Sequence, residues 1–240
     1  MSQISNPVLV ALDTPSIDAA LALALKLKDM VGGLKLGLEF FGANGPEGVG
    51  RVSALGMPVF LDLKFHDIPN TVAGAVRSVM PLAPLMLNVH ASGGLAMMQA
   101  AKAARDEAAA KLGLPPSILL AVTILTSLDQ AALDEIGYAS KVADQVARLA
   151  ALAQKAGLDG VVCSPHEVAL LRQRLGKDFQ LVVPGIRPAW AEAGDQKRVM
   201  TPSEAIQAGA DWIVIGRPIT GAADPAQAAT RIKAELDGRS

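Results

Sequence analysis

In the stretch Asp62-Leu63-Lys64-Phe65-His66-Asp67-Ile68-Pro69, two acids and a lysine stand at the spacing D-x-K-x-x-D, directly after the apolar run Pro58 to Leu61. Charges at the end of a buried strand are costly to desolvate and survive only when paired and hydrogen-bonded. In a fully extended chain residues 60, 62 and 64 share one face. The Asp62 carboxylate and the Lys64 ammonium then point the same way, with Asp67 beyond the strand in the following loop. An ammonium held charged by flanking carboxylates is a proton donor already in place. It suits general-acid work. The plain alternative is a solvated turn with Asp62 as a stray strand-end charge, and the spacing by itself is compatible with both.

For such groups to converge, several strands must deliver them to one place. Short apolar runs alternate along the chain with Ala/Leu-rich, charge-dotted segments of helical period, the pattern of repeated β-α units. Eight runs are counted: Val8 to Leu12, Leu34 to Leu38, Val59 to Leu63, Met86 to His90, Ile118 to Ile124, Gly160 to Cys163, Gln180 to Val183 and Trp212 to Ile215. Ser164-Pro165-His166-Glu167 and Thr201-Pro202-Ser203-Glu204 both read as capping boxes with Pro at the first helical position. The Ala-rich stretch Gln99 to Leu112 reads as a helix of high propensity. Eight β-α units in 240 residues fit a closed (β/α)8 TIM barrel better than an open doubly wound sheet. Residues 1–240 are expected to form one catalytic domain.

In such a barrel the site is built at the C-terminal ends of the strands, and polar residues fall there repeatedly. Asp13 ends the first run, Lys35 lies on the second, Asp62 and Lys64 end the third, Thr126 and Ser127 follow the fifth, Arg187 follows the seventh, and Gly216 and Arg217 follow the eighth. Asn88, His90 and Ser164 read more simply as cap or turn residues. His66 reads as a loop position, and His166 as an exposed residue of a helix first turn. Val183-Pro184-Gly185-Ile186-Arg187-Pro188 and Ile215-Gly216-Arg217-Pro218 follow the last two strands, where these barrels commonly grip a phosphate. Gly lets backbone N–H groups approach the oxygens, and the Arg217 guanidinium offers a planar fork of donors. The polar segment Ala189 to Arg198, without apolar periodicity, is the natural lid.

Composition narrows the function class. The net charge of -1, with no basic stripe or interleaved aromatics, argues against a nucleic-acid or anionic-membrane binder, so any anion must be held locally. The single Cys163, in Gly160-Val161-Val162-Cys163, excludes a disulfide framework and reads as a small buried hydrophobe. The start Met1-Ser2-Gln3-Ile4-Ser5-Asn6 lacks a cationic region followed by an apolar one, and no apolar run reaches the length of a membrane span. A soluble cytoplasmic enzyme is therefore expected. No pyridoxal lysine motif, flavin fingerprint or metal cluster is visible, so neither cofactor nor metal is expected.

The extended string Asp62-Leu63-Lys64-Phe65-His66-Asp67-Ile68-Pro69-Asn70-Thr71-Val72, with Lys35 in Gly33-Leu34-Lys35-Leu36-Gly37, resembles the signature of the orotidine 5'-phosphate decarboxylase family. The likeness runs from Asp13 through Thr126-Ser127 to Arg217. It implies the barrel fold and a cofactor-free conversion of orotidine monophosphate to uridine monophosphate in pyrimidine synthesis, by a stand-alone bacterial-type enzyme. It makes Lys64 the proton donor, places Asp62 and Lys35 in an alternating charge array, and brings Asp67, Ile68 and Thr71 from the partner subunit of a homodimer. Asp13 and Lys35 would hold ribose hydroxyls, and Thr126 with Ser127 would face the nucleotide. Arg187, Gln196, Gly216 and Arg217, with Pro184 in the same loop, would meet the phosphate or the lid. Two other readings stay open. One is a magnesium-dependent sugar-phosphate decarboxylase or aldolase on the same barrel, which shares D-x-K-x-x-D but typically has a metal-binding Glu where this chain has Lys35. The other is a non-catalytic phosphate-ligand-binding barrel, which has no use for the Lys64 array.

Overall fold

A computed structural model of the chain describes residues 6–191 and 200–238. Among these, eight strands close into one parallel barrel in the order β1 to β8, with β8 pairing back to β1. The strands are β1 (Val8–Ala11), β2 (Gly33–Gly37), β3 (Val59–Phe65), β4 (Met86–His90), β5 (Ile118–Val122), β6 (Gly160–Val162), β7 (Gln180–Pro184) and β8 (Trp212–Ile215). Helices between and after them are α1 (Ile17–Leu27), α2 (Leu38–Ser53), α3 (Pro69–Val79), α4 (Gly94–Leu112), α5 (Gln130–Glu135), α6 (Val142–Lys155), α7 (Val168–Leu175), α8 (Pro202–Ala208), α9 (Arg217–Thr220) and α10 (Pro225–Leu236). The expected barrel is thus observed, with every strand limit within two residues of the expected one.

Local chemistry places the elements. The Glu167 and Glu204 carboxylates accept the backbone N–H of Ser164 and Thr201, both at 2.8 Å, so both expected capping boxes start helical turns that leave β6 and precede β8. Gly113, at φ 66°, ends α4 in the left-handed conformation that an L side chain resists. Alternation along the strands then makes two apolar layers. Leu9, Phe60, Met86, Leu120, Val182 and Trp212 pack together inside the barrel, while Val10, Leu61, Leu87, Leu119, Leu181 and Ile213 pack outward against the helices. Cys163 is fully buried in the outer layer, where burial pushes its thiol up, and His166 is exposed, both as expected.

The floor is held by side-chain staples between distant segments. Asp159 accepts the Leu119 N–H at 2.7 Å and pairs with Arg105; Asp211 accepts the Leu181 N–H at 2.7 Å and the Arg172 guanidinium at 2.6 Å. Each aspartate just before an even-numbered strand thus ties the start of the preceding odd strand to a helix. Gln180 also accepts the Trp212 indole N–H from the neighbouring strand at 3.2 Å. These bonds satisfy polar groups at this end of the barrel, opposite the mouth where such folds place their chemistry.

Candidate active site

At the C-terminal mouth, β1, β2 and β3 deliver a chain of alternating charges. Lys35 Nζ stands 3.1 Å from Asp13 Oδ1 and 3.5 Å from Asp62 Oδ2, and Lys64 Nζ donates to Asp62 Oδ1 at 2.8 Å. Each Asp62 oxygen therefore faces a different ammonium. Burial by itself drives the Asp62 carboxyl up. The charges of Lys35 and Lys64, with hydrogen bonds from Lys64 and Asn88, outweigh burial and hold it below the usual aspartate value. The carboxylate stays ionised because it is paired on both sides. Gly37 leaves room for this arrangement: a Cβ there would lie 3.0 Å from Lys35 Nζ.

Asp62 and Lys64 meet by a route different from the fully extended strand expected. Lys64 has φ 52°, a left-handed value for a residue with a side chain, and the β3–β4 register shifts between Leu61 and Phe65. The ammonium reaches Asp62 across a bulge, a common device for re-aiming a side chain beside an active site.

The reading of Asn88 as a cap or turn residue is corrected by the structure. Asn88 is fully buried within β4, its amide donates to Asp62 Oδ1 at 2.7 Å, and its Oδ1 accepts the Lys64 backbone N–H at 2.8 Å. Sequence reasoning gave it too little weight, although a polar residue in Met86-Leu87-Asn88-Val89, on the inward face of a buried strand, was a usable signal. His90, two residues on, is half-buried. Burial, His66 and Lys64 push its pKa down against the pull of Asp62, and its ring centroid lies 5.4 Å from that of His66.

Beside the array lies a cavity of about 200 Å³ whose walls include Asp13, Lys35, Pro184, Gly185, Arg187, Gly216 and Arg217. The charge array and the two Gly/Arg loops therefore share one space, with Asp13 and Lys35 belonging to both. A larger cavity of about 760 Å³ opens at the floor near Arg105, Asp159, Gln180 and Trp212. Its Arg105, Asp159 and Gln180 side chains are engaged in the staples and the β7–β8 bond, whereas the smaller cavity is lined by members of the charge array. Among the described residues no group of three or more His, Cys, Asp and Glu side chains is placed to hold a metal ion. None of the described helices is long and apolar enough to cross a membrane.

The other expected residues among those described are exposed in the single chain. Asp67, Ile68 and Thr71 are exposed where β3 passes into α3, and the Asp67 carboxylate accepts the Ile68 backbone N–H at 2.6 Å. Ile68 is 67% exposed and Leu38, on the neighbouring rim, 60%. Thr126 and Ser127 are exposed after β5. Gln196 and most of the expected lid lie outside the described residues.

Comparison with known proteins agrees with this geometry. Residues 6–232 match the profile of the family described as Orotidine 5'-phosphate decarboxylase / HUMPS. A protein named orotidine 5'-phosphate decarboxylase from Paramagnetospirillum magneticum is 61% identical over 231 residues, covering 96% of this chain and 98% of that one. One of the same name from Rhodospirillum rubrum is 61% identical, covering 97% and 95%. Among solved structures, orotidine 5'-phosphate decarboxylase from Lactobacillus acidophilus superposes with a TM-score of 0.86 at 39% identity, over 97% of this chain and all of that one. The array at the barrel mouth, the paired Gly/Arg loops and the near-complete match place this chain in the orotidine 5'-phosphate decarboxylase / HUMPS family.

Proposed function

We propose that the chain decarboxylates orotidine 5'-monophosphate to uridine 5'-monophosphate in pyrimidine synthesis, with Lys64 as proton donor. The observation that carries the residue assignment is the four-member sequence Asp13–Lys35–Asp62–Lys64 beside a cavity that also holds Arg187 and Arg217. The 61% identical relatives bearing that name support the substrate. In this reading Gly216, Arg187 and Arg217, with Gln196 and Pro184, hold the phosphate. Asp13 and Lys35 hold the ribose hydroxyls. Thr126 and Ser127 face the base.

The chemistry follows from charge. When the bond to the carboxylate carbon breaks, CO2 leaves and the electron pair stays on the ring carbon. The Lys64 ammonium lies beside that carbon, stabilises the pair and gives it a proton. A fixed array of charges does this without reorganising at the moment of reaction, and favours the transition state over the substrate. Asp62 sits where the departing carboxylate is repelled and Lys64 is held. Exposed Ile68 and Leu38 on the rim support a homodimer in which Asp67, Ile68 and Thr71 of a second copy complete each site. The whole of residues 1–240 would then act as one catalytic domain, in the cytoplasm.

A magnesium-dependent reading is disfavoured by Lys35, which stands where that family typically has a metal-binding Glu and whose ammonium, 3.5 Å from Asp62 Oδ2, would repel a divalent ion. A non-catalytic barrel leaves the Lys64 array without purpose. The deciding test follows ultraviolet absorbance as orotidine monophosphate is consumed, with and without a chelator. Turnover unchanged by chelator is expected; no turnover, or turnover that stops on chelation, overturns the proposal.

A further inference from the structure

We infer that Asn88 is a positioning residue for Lys64, setting both the backbone and the carboxylate that aim the ammonium. The inference rests on the reading of Lys64 as proton donor and goes beyond it. Between the register pairs Leu61–Leu87 and Phe65–Val89, β3 has three residues, Asp62, Leu63 and Lys64, where β4 has one, Asn88. Such a bulge pulls a backbone N–H off the ladder, and a buried N–H must find another acceptor.

The Asn88 side chain supplies it. Its Oδ1 accepts the Lys64 N–H at 2.8 Å, and its Nδ2 donates to Asp62 Oδ1 at 2.7 Å, the same oxygen that receives Lys64 Nζ at 2.8 Å. Lys64 is thereby held at its root by Asn88 and at its tip by Asp62, and Asn88 links the two. The partners dictate the orientation of the amide, because a carboxylate only accepts and a backbone N–H only donates. A neutral group with one donor and one acceptor is needed: leucine has neither, and an ionised aspartate lacks the donor and would face Asp62 with like charge. The left-handed φ of 52° at Lys64 persists only where its surroundings over-determine it. Asn88 is fully buried, so it works through Lys64 and Asp62 rather than on the substrate.

The test compares the full-length native enzyme with Asn88→Leu, Asn88→Asp and Lys64→Ala, using orotidine monophosphate turnover and binding of uridine monophosphate. Asn88→Leu is expected to lower kcat by about 10²-fold, as a misaimed catalytic group does, with KM within about threefold of native. Asn88→Asp carries a sharper signature. Its carboxyl, when protonated, reproduces the donor and acceptor of the amide, and two adjacent carboxyls retain one proton between them to higher pH than either alone. Its kcat relative to native should therefore rise as pH falls, and this readout survives if the leucine variant fails to fold. A residue that serves stability alone would leave the pH profile unmoved. A native pH profile in Asn88→Asp, or kcat within about threefold of native in folded Asn88→Leu, overturns the inference. Lys64→Ala separates the two levels: if it turns over substrate, the Lys64 assignment itself fails, whereas if it is dead while the Asn88 variants are native, only the positioning role fails.

Discussion

The Lys64 ammonium lies 2.8 Å from Asp62 Oδ1 although the backbone at Lys64 has left the extended conformation that would put the two side chains on one face. Strain in the main chain is thus coupled directly to the placement of the charge. A left-handed backbone on a residue with a Cβ costs roughly 1–2 kcal/mol.

Removing the Lys64 side chain separates chemistry from strain. Lys64→Ala should lose about 10⁴-fold or more in turnover, the upper range for a general acid, while still binding uridine monophosphate. Lys64→Gly should be equally inactive yet more stable than Lys64→Ala by about 1 kcal/mol, because glycine accepts the positive φ. Activity assays and thermal melts of the pair check this; near-native turnover by either variant would remove Lys64 from the mechanism.

Arg217 lines the cavity with Asp13 and Lys35. Arg217→Ala should lose about 3 kcal/mol of transition-state stabilisation, roughly a hundredfold in kcat/KM, on the order of a charged hydrogen bond to a buried partner. Added guanidinium ion should restore part of it. Unchanged kinetics would show that the β8 loop does not hold the phosphate.

Asp67 is exposed on its own chain, with its carboxylate turned to the Ile68 N–H. If it serves a second copy, mixing inactive Lys64→Ala and Asp67→Ala proteins under subunit exchange should restore activity. Random pairing makes about half of the dimers hybrid, each with one whole site and one doubly defective site, so roughly a quarter of native activity returns. Absence of recovery after exchange has been demonstrated by mass spectrometry would put Asp67 outside a shared site.

His90 gives a pH dependence of stability whose sign is determined. Burial, His66 and Lys64 depress its folded pKa, against the opposing pull of Asp62. Well above pH 6.5, the usual histidine value, it is neutral in both states and contributes no slope. Below that, the unfolded chain takes the proton first, so stability falls with pH until the folded group also titrates. His90→Gln should therefore flatten the decline of Tm between about pH 6.5 and 5. An unchanged decline would assign the acid sensitivity elsewhere.

Much of this molecule could be read from residue order. Apolar runs mark strands because each strand is buried on both faces, so the eight runs fell within two residues of the observed strands. Asp62, Lys64 and the Gly/Arg loops were visible as charges and glycines at strand ends, where an apolar core ends abruptly. Cys163 and the two capping boxes were equally local and equally plain.

Contacts between segments distant in sequence were decided only by the tertiary structure. Closure rests on β1 pairing with β8, which no local pattern encodes. The floor staples join Arg105 to Asp159 and Arg172 to Asp211, 54 and 39 residues apart, and each member alone reads as a surface charge. Asn88 was misread for the same reason. Its role depends on three residues of β3 lying opposite one of β4, and such a register emerges only when two strands are laid side by side and the unpaired N–H between them must find an acceptor.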